Sequence, residues 1–140
     1  MNRIVEFLTD HWALSLAFVV TFTLLLVTEA RRRVGGAKQL SPVDAVRLMN
    51  QQDALLLDVR EEREFKEGHI ANALHVPVGL IDREIGQLDE HKAKPIIVYC
   101  RSGARAARAA ASLRKHGLAN IYTLTGGLQA WQAANLPIKK

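Results

Sequence analysis

Residues 95–106 read PIIVYCRSGARA, and this stretch decides the fold. Pro95 opens a run of Ile96, Ile97, Val98 and Tyr99, apolar and β-prone throughout, as in a strand buried on both faces. Cys100, Arg101, Ser102 and Gly103 follow. An alanine-rich run over residues 104–116 then reads as a helix, with Gly117 placed to end it. A buried strand, a tight loop and a helix in direct succession form part of a crossover unit.

The same alternation continues on both sides. Residues 54–59 (ALLLDV) form a short apolar strand, residues 73–76 another that Pro77 stops, and residues 121–124 a further one. Between them, Ser41 and Pro42 sit as N-cap and first residue of a helix reaching about Asn50, with Asp44 in its first turn. The charged residues 61–66 suit one or two helical turns ended near Gly68. Leu80, Ile81, Ile85 and Leu88 have helical spacing across residues 80–91. Gly126 and Gly127 read as a turn before a last helix over residues 128–134. Strands alternating with helices predict an α/β domain with right-handed crossovers and a mostly parallel sheet covered on both faces.

The N-terminus is different. Residues 12–28 (WALSLAFVVTFTLLLVT) carry no formal charge. As a helix they reach roughly 26 Å, close to the hydrocarbon thickness of a bilayer. Trp12 stands where an interfacial aromatic would, and Arg31, Arg32, Arg33 and Lys38 follow the segment, which places the domain after it in the cytoplasm and the short N-terminus outside. A cleaved signal peptide would want a basic start and a small-residue site after the apolar run; here the run ends in Glu29, Ala30 and three arginines. The reading is therefore a single-pass anchor of the inner membrane over residues 1–33, a flexible linker over residues 34–39 with Gly35 and Gly36, and a domain over residues 40–140. Ala13, Ala17 and Thr21 recur at four-residue spacing, a stripe along which a partner transmembrane helix could approach.

Composition narrows the function. Hydrophobic residues at 49% and charged residues at 24% suit one packed domain plus a short appendage. The net charge is +5, but with four of nineteen basic residues in the first 33 positions the remainder has only 15 basic against 11 acidic side chains. That mild balance, without a lysine-rich arm, argues against nucleic-acid binding and fits anionic small substrates or lipid headgroups. A single cysteine excludes an intrachain disulfide and a multi-cysteine zinc site, and His69 and His75 find no further ligands to complete a metal set.

The surroundings of Cys100 separate a reactive thiol from an inert core residue. It follows a strand and precedes a helix, whose N-terminus offers unpaired N–H groups and the positive end of its dipole. A thiol there favours the thiolate, the nucleophilic form. Arg101 and Arg105 add positive charge, and Gly103 lets the loop curl with its amides inward. Arg108 and Arg114, farther along, read as solvated-face charges.

The segment Cys100-Arg101-Ser102-Gly103-Ala104-Arg105 resembles the active-site loop of single-domain rhodaneses, and the similarity extends over most of residues 38–137. Leu57-Asp58-Val59-Arg60, Glu64-Phe65 and Gly68-His69-Ile70, continued by Ala73 and Pro77, resemble that family's first signature; Thr125-Gly126-Gly127, Trp131 and Pro137 resemble its C-terminal one. The resemblance implies a five-stranded parallel sheet. It implies a sulfurtransferase in which Cys100 takes sulfur from thiosulfate or a persulfide and passes it to a thiol, cyanide or a protein. Residues 101–105, that is Arg101, Ser102, Gly103, Ala104 and Arg105, would bind the donor, with Arg101 and Arg105 holding its negative charge. Asp58 and Arg60 would supply structural hydrogen bonds, and Trp131 core packing. No metal or organic cofactor is required. A cysteine phosphatase is a rival, but its loop carries five residues between cysteine and arginine, against four here. A membrane-docked interaction module, with sulfur transfer secondary, is the alternative of another class.

Overall fold

The computed structural model describes residues 1–35 and 37–140, and for residues 31–35 the backbone only. The chain divides into two units, Met1–Gly36 and Ala37–Lys140.

The first unit is helical: α1, Asn2–Asp10, and α2, Trp12–Gly35. Within α2, Trp12–Ala30 is a 19-residue stretch long and apolar enough to cross a membrane, and none of it is buried. At 1.5 Å per residue it spans about 28 Å. Ala13, Ala17 and Thr21 lie exposed along it.

The second unit holds the sheet. Its elements are β1 Lys38–Leu40, α3 Pro42–Gln52, β2 Leu55–Asp58, α4 Glu62–Glu67, β3 Leu74–His75, a 3-10 turn Val78–Leu80, α5 Ile85–Asp89, β4 Ile96–Tyr99, α6 Ala104–Lys115, β5 Ile121–Leu124 and α7 Gly127–Ala133. The strands pair in the order β1-β5-β4-β2-β3, every pair parallel. The expected five-stranded parallel α/β sheet is therefore present. In register, Val98 at the centre sits between Leu57 and Thr123.

β4 is buried along its whole length, and the two-residue period of a strand sends its side chains alternately to two cores. Ile96, Val98 and Cys100 face one core with Ala106, Ala109, Ala110 and Leu113 of α6. Ile97 and Tyr99 face the other with Ala45 of α3 and Leu128 and Trp131 of α7. The alanines of α6 permit close helix–sheet packing while Arg108 on its outer side stays exposed. Ser41 caps α3 as expected, its hydroxyl oxygen accepting the Asp44 N–H at 3.2 Å.

Three expectations need correction. Of residues 34–39, read as a flexible linker, Gly35 belongs to α2 and Lys38 and Gln39 are strand. The helical ladder of α2 continues to Gly35, because arginine is a good helix former and nothing breaks the ladder earlier. Lys38 and Gln39 belong to β1, whose three residues pair with Tyr122, Thr123 and Leu124; Gly36 lies outside the described residues. The helix read over residues 80–91 is instead a 3-10 turn and the short α5. Gly79 and Gly86 have poor helix propensity, and Ile81 and Leu88 reach the core from separate turns. Gly127, read as part of a turn, is the first residue of α7.

Candidate active site

β4 delivers Cys100 to the carboxyl edge of the sheet, where ligands of open parallel sheets bind. The residue is 1% exposed. Its Sγ accepts the N–H of Gly103 at 3.0 Å and that of Ala106 at 3.4 Å, so the loop and the first turn of α6 wrap the sulfur. Gly103 makes the wrap possible through conformation rather than space: its φ is +130°, and nothing lies within 4 Å of where a Cβ would be. Arg101, Ser102 and Ala104 are exposed around the loop, and Arg105 is half-buried.

The outer side of the loop is held by α7. The N–H of Leu128 donates to the Cys100 carbonyl at 2.8 Å and that of Gln129 to the Arg101 carbonyl at 3.2 Å. These are first-turn amides without partners inside their own helix. They come so close because Gly127, at φ +59°, has no side chain; a Cβ there would press into the Cys100 carbonyl oxygen and lie 2.7 Å from the Arg101 carbonyl carbon.

Asp58 and Arg60 form a buried ion pair, 0% and 4% exposed. Arg60 Nε donates to the two carboxylate oxygens at 3.0 and 3.1 Å, and Nη2 donates to Oδ2 at 2.8 Å and to the Gly68 carbonyl at 2.6 Å. Burial works against the guanidinium charge, but Asp58 outweighs it and raises the Arg60 pKa. Removal of either partner would strand a buried charge, at a cost of about 3–5 kcal/mol. The pair ties the end of β2 to the start of the loop that follows α4. Tyr99 closes the same region: its hydroxyl accepts the Ile70 N–H at 3.1 Å. Burial first, and the Asp58 carboxylate next, push that phenol far above its ordinary range.

Arg105 has a partner that the sequence reading did not find. Its Nη1 and Nη2 donate to Oε1 and Oε2 of Glu64 at 2.6 and 3.0 Å, a fork-to-fork pair. Glu64 is positioned by α4. Its carboxylate also accepts the Glu61 N–H at 3.4 Å, and the next residue, Phe65, stacks on His69 and His75 at 3.8 and 4.4 Å. The hydrogen bond from Arg105 above all holds the Glu64 carboxyl down at about 2. Beside this pair opens a cleft of ≈ 350 Å³ lined by Arg60, Glu64, Arg101, Gln129 and others. Arg101 thus faces the cleft, whereas Arg105 is engaged. Trp131 packs in the core and donates from Nε1 to the Pro137 carbonyl at 2.9 Å.

A parallel sheet whose central strand ends in a loop-wrapped thiol defines the class: an α/β domain built around one cysteine at a strand–helix junction. The chain belongs to the rhodanese-like domain family, whose model matches residues 41–134. It is 33% identical over 139 residues to the uncharacterized protein YibN of Escherichia coli (strain K12), a match covering 99% of this chain and 97% of that one. It is 35% identical over 96 residues to the thiosulfate sulfurtransferase GlpE of Coxiella burnetii, covering 69% of this chain and 88% of that protein. The crystal structure of a rhodanese-related protein from Thermoplasma volcanium superposes with a TM-score of 0.66 at 29% identity, over 73% of this chain and 97% of that one. Family membership supports a general sulfurtransferase role. The match to YibN takes in the N-terminal apolar helix as well as the domain.

Proposed function

We propose that the chain is a sulfurtransferase that carries sulfur as a persulfide on Cys100 and is tethered to the membrane by α2. One observation carries the reading: within a rhodanese-like cysteine loop at the carboxyl edge of the sheet, Sγ of Cys100 accepts two backbone N–H groups. Donors so placed can stabilise the negative charge that the sulfur bears during transfer.

In the first step the Cys100 thiolate attacks the outer sulfur of the donor. A new S–S bond forms and the old one breaks, and the leaving group, sulfite from thiosulfate or a thiolate from a persulfide, departs with the electron pair. In the second step an acceptor thiolate or cyanide attacks the outer sulfur of the Cys100 persulfide and releases the Cys100 thiolate. Covalent catalysis divides the transfer into two displacements. The residues of the loop, 101–105, surround the incoming sulfur; Gly103 and Ala106 supply amides, and Arg101, at the cleft, supplies charge. Asp58 and Arg60 hold the neighbouring turn in place. Thiosulfate is a candidate donor by analogy with GlpE, and the reading includes low-molecular-weight and protein persulfides.

The deciding experiment compares the full chain with Cys100→Ser. Wild type incubated with thiosulfate should gain 32 Da, the mass of one sulfur atom (~32 Da) expected for a persulfide. It should also convert cyanide to thiocyanate. Cys100→Ser should melt like wild type and do neither, because serine lacks an activating base here. Transfer at the wild-type rate by that variant would overturn the assignment.

A further inference from the structure

Two arginines stand in the cysteine loop, and among the described residues Arg105 has an ion-pair partner while Arg101 lines the cleft. Arg105 spends both terminal nitrogens on Glu64, in a bidentate pair whose side chains are only 25% and 27% exposed. Arg60, which lines the same cleft, is neutralised by Asp58. Glu64 and Arg101 line the same cleft. Among the described residues, the loop thus presents one cation without an ion-pair partner, Arg101, beside a carboxylate, rather than a cluster of positive charge.

From this, and resting on the sulfur-transfer reading, we propose that Glu64 is a specificity-determining residue. By engaging Arg105 it withdraws a cation from the incoming donor and biases the site against dianions such as thiosulfate, toward donors of lower charge, including monoanionic thiosulfonates and zwitterionic persulfides. Glu64 acts through Arg105 and through its own field, so it is a positioning residue. The pair persists over the neutral range. A carboxyl held at about 2 stays ionised above the ordinary carboxylate range and releases the arginine only as pH falls from about 4.5 toward 2.

The test uses two donors of like chemistry and different charge, thiosulfate (a dianion) and methanethiosulfonate (a monoanion), on full-length protein. Glu64→Gln keeps the side chain's shape and one acceptor oxygen but removes its charge. Coulomb energy is proportional to ligand charge. One unit charge acting on a dianion through several ångströms of a water-screened site is worth roughly sixfold, and on a monoanion the square root of that, about 2.4-fold. Thiosulfate kcat/KM should therefore rise roughly sixfold and methanethiosulfonate about 2.4-fold, mainly through KM. The gap between the two should close near 1 M salt, where the Debye length is about 3 Å. Glu64→Asp retains the charge and should keep the wild-type donor ratio. Equal changes for both donors, or a shift in Glu64→Asp as large as in Glu64→Gln, would mean that Glu64 serves the fold alone, and the proposal would fall.

A second measurement needs no sulfur transfer. Cys100 is the only thiol in the chain, so alkylation reports on it directly. The ratio of rates with iodoacetate and iodoacetamide should rise about 2.4-fold in Glu64→Gln, for the same monoanion reason; an unchanged ratio overturns the proposal. If wild type moves sulfur from neither donor, the sulfur-transfer reading fails, and the alkylation ratio still decides the role of Glu64.

Discussion

At the scale of single residues, the loop depends on side chains that are absent as much as on those present. Gly127 lets the amides of α7 reach the carbonyls of Cys100 and Arg101. Gly127→Ala should be severely destabilising: left-handed backbone at a residue with a Cβ costs about 1–3 kcal/mol, before the contact with the loop carbonyls is counted. Sulfur transfer should fall with it, because the loop must move to admit the methyl group. Gly86→Ala is the internal control. Nothing lies within 4 Å of a Cβ there, and the residue is inside α5; the change should be neutral or stabilising by up to about 1 kcal/mol. Urea midpoints of the two variants give the comparison. The Gly126-Gly127 pair was legible in the sequence as a punctuation mark, but its purpose was not. Which backbone a glycine must admit depends on a segment more than twenty residues away. The same holds for Glu64. It is one of several acidic residues in a charged run, and its geometry with Arg105, 41 positions on, leaves no local trace.

At the scale of elements, strands and helices with strong local signals were read from the chain, and short ones were not. β4 announces itself by four consecutive buried β-prone residues, and α6 by its alanines and Gly117. β1 has only Lys38, Gln39 and Leu40, two of them exposed. It is a strand because β5 is there to pair with it, and the Thr125 N–H donates to the Leu40 carbonyl at 2.8 Å. This sets where the domain begins. A chain starting at Ala37 should fold and melt close to the full-length domain. A chain starting at Ser41 loses β1, bares β5 as an edge and uncovers part of both cores. It should melt about 8 °C lower or more, since each 1 kcal/mol moves the midpoint of a domain near 100 residues by roughly 4–8 °C. Equal melting temperatures for the two chains would show that β1 contributes nothing to stability.

At the scale of the whole molecule, the expectation concerns the membrane. Trp12–Ala30 is a bilayer-length apolar helix with none of its residues buried, and the arginines at positions 31–33 follow it. Full-length protein should stay with membranes in alkaline carbonate, and the chain starting at Ala37 should be released. Protease added outside spheroplasts should spare the domain, as the basic flank on its side requires. Release of the full chain by carbonate, or digestion of the domain from outside, would contradict the tether or its orientation. The sequence by itself determined the properties that depend on neighbours within a turn or a strand. These are the uncharged span, the succession of strand, cysteine loop and helix, and the α/β class that follows from alternating periods. Tertiary structure alone decided that a three-residue segment completes the sheet, that Gly127 sits against the cysteine loop, and that Arg105 is claimed by Glu64 rather than left for a ligand. The physical reason is range. Hydrophobic periodicity and capping act between residues a few positions apart, whereas strand pairing, close backbone approach and the choice of an ion-pair partner are settled only when the folded chain brings distant residues together.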